Sequence, residues 1–354
     1  MDNLIVRLAA AAALTFALAC ASDDPDNRVI ACGIDDGLLP SDYGEANFKA
    51  DVYFVNEKGT LWSNGEMVKT GLDDATSVFV SDGDVYVAGM RKEPMIWQST
   101  TIGHRNVAAV WKNGAISSIG LDSLEDDDVA TGSHALSVFV ADGNAYVAGY
   151  QYNRERGTMA AVLWVNGAAT RLSEAKPFGQ SPVSARSVYV SNGTVYVAGE
   201  AGNNAVLWVN GEASVLGPGC ARSVCISGGD VYVAGLLYGD SVIWKNGMAR
   251  NLVGNGQYSN VVSVSASGGD VYAAGNDGLY AILWVNGGAR RLSNGKTNEW
   301  ATAAVESGGN VYAVGYANVW WLKSRLWLDG KPIDIPNVGP IRSLFVAERV
   351  ANRQ

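Results

Sequence analysis

Hydrophobic and polar residues alternate in short runs along most of this chain, and no helical spacing of useful length interrupts them. Residues 187–216, SVYVSNGTVYVAGEAGNNAVLWVNGEASVL, show the pattern in its plainest form. Four runs of strand type are separated by glycine-containing turns, two of which are Asn-Gly pairs. Such pairs predict two-residue β-hairpins, because both central residues of that turn need positive φ.

The pattern recurs. The tryptophan turn occurs seven times, as LWSNG at Leu61, VWKNG at Val110, LWVNG at Leu163, Leu207 and Leu283, IWKNG at Ile243 and LWLDG at Leu326. Upstream of each lies DVYFV at Asp51 or a variant of DVYVAG at Asp84, Asn144, Thr194, Asp230, Asp270 and Asn310. A third element is SVFV at Ser77 and Ser137, SVYV at Ser187, SVCI at Ser223, SVSA at Ser263, a degenerate AAVE at Ala303 and SLFV at Ser343. Successive turn tryptophans are 49, 53, 44, 36, 40 and 43 residues apart, so the connecting loops carry the variation. Four short strands per unit of this length predict the blades of a β-propeller.

The first unit lacks its first strand, and an unmatched first strand, IRSLFVAERV, follows the last unit. The expected fold is therefore all-β, a seven-bladed β-propeller of four-stranded blades whose ring is closed by the C-terminal strand, residues 343–347, completing the first blade. Small residues such as Ser77, Ser263 and Ala266 suit the crowded inner strand, and the turn tryptophans suit the wedge between splaying blades, so they are read as core.

Composition narrows the function classes. A net charge of −9 offers no basic field for nucleic acid or an anionic bilayer surface. With only two histidines, His104 and His134, no multi-histidine metal centre is expected. The contiguous acids of LEDDDV at Leu124 lack calcium-loop spacing and are read as a solvated loop. No metal and no cofactor is expected. The apolar run Leu8–Ala19 reads as a signal peptide, residues 1–19, and ALAC places a lipid-modified Cys20 after the cleavage point. Simple secretion as a soluble periplasmic or extracellular protein is the alternative. Residues 20–46 form a polar tether and residues 47–354 the propeller. A Cys220–Cys225 disulfide and two unpaired thiols remain open alternatives.

The VYVAG and LWVNG repeats resemble a family of exported bacterial proteins, many of them anchored lipoproteins of unassigned role. The resemblance covers roughly residues 50–350. It implies a propeller at the cell envelope, as an outer-membrane or cell-surface lipoprotein, and implies no chemistry.

Strand directions put the short hairpins on one face of the disc and the long, irregular segments on the other, where function is expected. Those segments include MRKEPMIWQSTTIGHRN from Met90. Trp97, Tyr150, Trp300, Tyr316, Trp320 and Trp321 fall in them or at their edges, and suit either recognition of a sugar or peptide or the capping of neighbouring blades. Aligning the first strands puts Thr76, Leu136, Arg186, Arg222, Val262, Thr302 and Arg342 just before the repeat serine. Arg186, Arg222 and Arg342 are candidates for holding a ligand's carboxylate or sulfate, or for pairing with acidic neighbours. The expected function is non-catalytic: a lipid-anchored, monomeric binding or scaffolding protein for a glycan or protein partner. A polysaccharide hydrolase or lyase using two of Glu93, Glu155, Glu200, Asp240, Asp277 and Glu299 is one alternative. A structural assembly subunit is the other.

Overall fold

The structure is a computed structural model and describes residues 29–30, 50–63, 66–97, 100–119, 131–175, 182–252, 259–318, 322–334 and 339–348. Among them every regular element is a strand, 28 in all, and every pairing is antiparallel, as the all-β reading requires. The strands form six hydrogen-bonded sheets, four of them four-stranded meanders, one of five strands and one of seven.

The seven-stranded sheet arises from continuity of backbone. Its strand Glu212–Ser227 pairs through its first half with Asn204–Val209 and through its second half with Asp230–Leu237. One strand thus ends one sequence unit and begins the next. In the five-stranded sheet, Ile341–Glu348 lies between Ala50–Asn56 and a two-residue strand, Val29–Ile30, from the segment read as tether.

The first strands of the units contact one another in a closed order. Ile341–Glu348 touches Asp74–Ser81, followed in turn by Thr131–Ala141, Val183–Ser191, Glu212–Ser227, Ser259–Ser267 and Asn298–Ser307, which returns to Ile341–Glu348. The repeat serines link these strands. The amides of Val78, Val138, Val188, Val224 and Val264 donate to the Oγ atoms of Ser343, Ser77, Ser137, Ser187 and Ser223 at 3.1–3.2 Å. A buried serine oxygen between the first strands of neighbouring units supplies these amides with an acceptor. The series lapses at Ser263, whose buried Oγ has no hydrogen-bond partner among the described residues, and the next unit has Ala303 in place of the serine. Beside this series an aromatic file runs Phe345, Phe79, Phe139, Tyr189, with centroids 4.6–5.0 Å apart.

The turn tryptophans are core. Trp62, Trp164, Trp208, Trp244, Trp284 and Trp327 are exposed by 1% or less, and Trp111 by 6%.

Each of the seven inner strands carries a β-bulge at the same place, immediately before the serine position. The extra residue is Thr76, Leu136, Arg186, Arg222, Val262, Thr302 or Arg342. Alternation does not mark such an insertion, because these strands are buried on both faces along most of their length and show no clear alternation to shift. The bulge explains the glycine of the VAG motif. A Cβ on Gly89, Gly149, Gly199, Gly235, Gly275 or Gly315 would come within 1.8–2.2 Å of the carbonyl oxygen that the bulge pushes towards it.

One expectation is corrected, and one of two open alternatives is removed. The segment from Met90 is not a loop up to Trp97: Met90–Trp97 pairs with Thr100–Ala108 as a paired extension of the two strands. Cys220 and Cys225 are not bonded to each other. Five residues apart on one strand, they are roughly 16 Å from each other, beyond disulfide reach.

Candidate functional site

The bulges gather polar side chains at one end of the inner strands, the end opposite the hairpins. Three positions per unit contribute: the bulge residue, the residue two before it, and the residue following the glycine, which pairs across from the second. Asp74, His134, Ser184, Cys220, Asn260 and Trp300 hold the second position. Met90, Tyr150, Glu200, Leu236, Asn276 and Tyr316 hold the third, with Glu57 following Asn56 in the first unit.

These groups connect from sheet to sheet. Arg342 donates to Asp74 Oδ2 at 2.9 Å and lies 3.5 Å from Glu57 Oε2. His134 Nε2 is 3.4 Å from the same Asp74 oxygen, and its Nδ1 is 3.4 Å from the Tyr150 hydroxyl. Arg186 donates to Glu200, which also accepts from Ser184 at 3.0 Å. Arg222 donates through Nη1 to the Asn260 side-chain oxygen and to the Val261 carbonyl at 2.9 Å. Thr76 and Thr302 make the same carbonyl contact to the next sheet, at Ala135 and Ile341. A bulge side chain thus tends to cap the next inner strand.

Low exposure sets the electrostatics. Desolvation, with a smaller push from Tyr152, drives the Tyr150 hydroxyl up to about 12 against the opposing pull of Arg186. Desolvation does the same to Tyr316, also to about 12, with Arg342 pulling the other way. Burial works against the Arg186 charge, but Glu200, Cys220 and Tyr150 outweigh it and hold the guanidinium above its ordinary range.

Of the aromatic candidates, Trp300 and Tyr316 come together, their rings 6.2 Å apart and 9° from parallel, with Trp300 Nε1 donating to Asn298. Tyr150 lies beside Tyr152 at 6.4 Å. Trp97 ends its strand opposite Thr100, and its backbone alone is described. Trp320, Trp321, Cys20 and the acidic run 125–128 lie outside the described residues. Among the acids, Glu200 is engaged by Arg186, Glu299 by Arg325 at 3.2 Å, and Glu93 by Ser118 and Arg91. Among the described residues no three metal-ligating side chains cluster.

Asp74, His134, Glu57 and Asn260 were not picked out in the sequence. Aligning the residue two before the bulge and the residue after the VAG glycine across units would have found them. A separate concavity of about 270 Å³ lies at the hairpin end, lined by Tyr232, Lys245, Arg250, Val271 and Asn286 among others.

No family model matches the chain, and no curated protein matches it. Among solved structures it is similar to the computationally designed Ika8 protein, at 13% identity and TM-score 0.48, covering 84% of this chain and 90% of that one. A puromycin-hydrolyzing peptidase of Mycobacterium tuberculosis gives 11% identity and TM-score 0.45 over 76% of this chain. Trypanosoma rangeli sialidase gives 12% and 0.44 over 84%. The chain spans 48% of the peptidase and 59% of the sialidase. Likenesses of this strength leave fold and activity to be argued from the chain itself.

Proposed function

We propose that the chain is a seven-bladed β-propeller acting as a non-catalytic binding or scaffolding protein at the bacterial cell envelope. The seven-stranded sheet counts as two blades sharing a strand, and residues 343–347 complete the first blade beside Ala50–Asn56. The closed order of inner-strand contacts supports this count. Cys20 carries the lipid, the part of the tether before the paired strand Val29–Ile30 links it to the ring, and the chain acts as a monomer.

The observation that carries the binding role is the belt of ionised and aromatic groups at the loop end of the inner strands. Arg342, Asp74, His134, Tyr150, Arg186 and Glu200 are positioned by paired strands at four of the seven repeated bulges. Rigidly held charges and ring faces favour recognition of a polar ligand at low entropic cost. The ligand class is a glycan or an envelope protein. Engagement of Glu200 and Glu299 by arginines supports recognition over acid–base chemistry, which needs a carboxyl group open to substrate.

The test is a glycan and envelope-protein binding screen with the mature chain and with the Trp300→Ala and Trp320→Ala/Trp321→Ala variants. Binding that weakens by about tenfold or more in a variant that keeps its fold is expected. No binding by the parent chain, or binding that both variants retain in full, overturns the reading. Incorporation of labelled fatty acid, abolished by Cys20→Ala, tests the anchor.

A further inference from the structure

We infer that Arg222 is a carboxylate-binding subsite at the loop end of the inner strands. The inference deepens the binding role proposed above and rests on it only for the identity of the full ligand.

The repeat supplies an internal comparison. Three bulge positions are arginine, and two of those are neutralised within the chain. In the unit of Arg186, the residue after the glycine is Glu200, whose Oε1 accepts from both Nε and Nη2 of the guanidinium. For Arg342 the same position holds Glu57, and the residue two before the next bulge is Asp74; both carboxylates reach the guanidinium. At Arg222 both positions are neutral. The residue after Gly235 is Leu236, and the residue two before the next bulge is Asn260.

Arg222 therefore keeps its charge without a carboxylate among the described residues. Its Nη1 is spent on Asn260 and Val261, which fixes the plane of the guanidinium. The Nε and Nη2 edge makes no hydrogen bond to a described residue and is not among the buried unsatisfied atoms. That edge is the pair of donors which Glu200 Oε1 occupies on Arg186, and its planar spacing suits a carboxylate with one oxygen on each donor. The side chain is half-buried, so the contact is partly shielded from solvent. A ligand carboxylate at this place would complete the pattern that the other two arginine units complete from within.

The carboxylate belongs either to a uronic sugar or to an acidic amino acid, and the experiment separates them. The full mature chain is titrated with glucuronate, N-acetylaspartate and glucose at constant ionic strength, following the arginine Nε–Hε resonances by NMR. The Arg222 signal should shift saturably with one or both carboxylates and stay still with glucose. Arg222→Gln should weaken binding about tenfold or more. Leu236→Glu, which installs the carboxylate that Glu200 provides in the neighbouring unit, should abolish binding while the chain remains folded. No shift with either carboxylate, equal shifts with sodium chloride, or binding undiminished in Leu236→Glu overturns the inference. If the wider screen finds no partner but glucuronate still binds at Arg222, the subsite stands and the broader role fails. A partner bound in the screen with no carboxylate response gives the reverse.

Discussion

Gly199 faces a bulge, and its hydrogen in place of a Cβ is a structural necessity. A methyl group there would meet the Ser184 carbonyl at 2.0 Å and the Trp208 ring at 2.9 Å, neither of which can withdraw cheaply. Gly199→Ala should destabilise the chain by about 1–3 kcal/mol or more, read from the midpoint of denaturant unfolding. Tyr150 and Tyr316 give a prediction of opposite kind. Their hydroxyls titrate at about 12 in the folded chain, against 10.0 for the ordinary group. The folded state thus holds their protons more tightly than the unfolded state. Stability is unaffected by these groups below pH 10 and falls as pH rises from 10 towards 12. Absorbance near 295 nm should show a late-ionising class of tyrosines, reduced in Tyr150→Phe and again in Tyr316→Phe. At this scale the sequence showed where Arg186 and Arg342 stand in the repeat but not what they touch. Their partners Glu200, Asp74 and Glu57 depend on a bulge and on the next inner strand, and neither leaves a trace in local alternation.

Hairpins were the most legible elements, because an Asn-Gly pair announces a turn whose backbone few other residues adopt. The asparagine does more than turn the chain. In Asn113, Asn166, Asn210, Asn246 and Asn286 the φ angle is positive, and each Oδ1 accepts the backbone amide that opens the second strand of its unit, at 2.8–2.9 Å. Asp329 does the same for Val311 in the LWLDG copy. The turn between the third and fourth strands is thereby tied to the strand two places earlier. Asn246→Ala should cost about 1–2 kcal/mol, from the left-handed backbone and the lost bond to Val231 together, measured by equilibrium unfolding. Asn246→Asp, which keeps an acceptor, should recover most of the loss. Strand length was less legible than strand existence. Residues 90–97 carry charges and Pro94 and look like a loop, yet they extend the sheet because Thr100–Val107 runs alongside them. Pairing with a neighbour, not intrinsic preference, decided that segment.

At the scale of the whole molecule, the last described strand has a role that no interior strand has. Ile341–Glu348 pairs along its length with Ala50–Asn56, nearly three hundred residues earlier in sequence, and it touches the inner strands on both sides of it. Ser343 accepts from Val78, Thr302 donates to the Ile341 carbonyl, and Arg342 binds Asp74, so the strand is joined to both neighbouring units. In the proposed ring this strand alone joins the chain's last unit to its first. In a linear stack, removing a terminal element would cost about one interface and leave the remaining units cooperative. In a ring, the same deletion exposes the apolar faces of two blades, removes the pairing that closes the ring and strips Phe345 from the aromatic file with Phe79. Deleting residues 341–354 should therefore lower the melting temperature of the entire chain and broaden its transition. A synthetic peptide spanning 339–354, added in excess, should restore part of the loss by binding the folded form alone. A truncated chain that melts sharply at the temperature of the full chain, with no response to the peptide, would sink the closed seven-bladed ring.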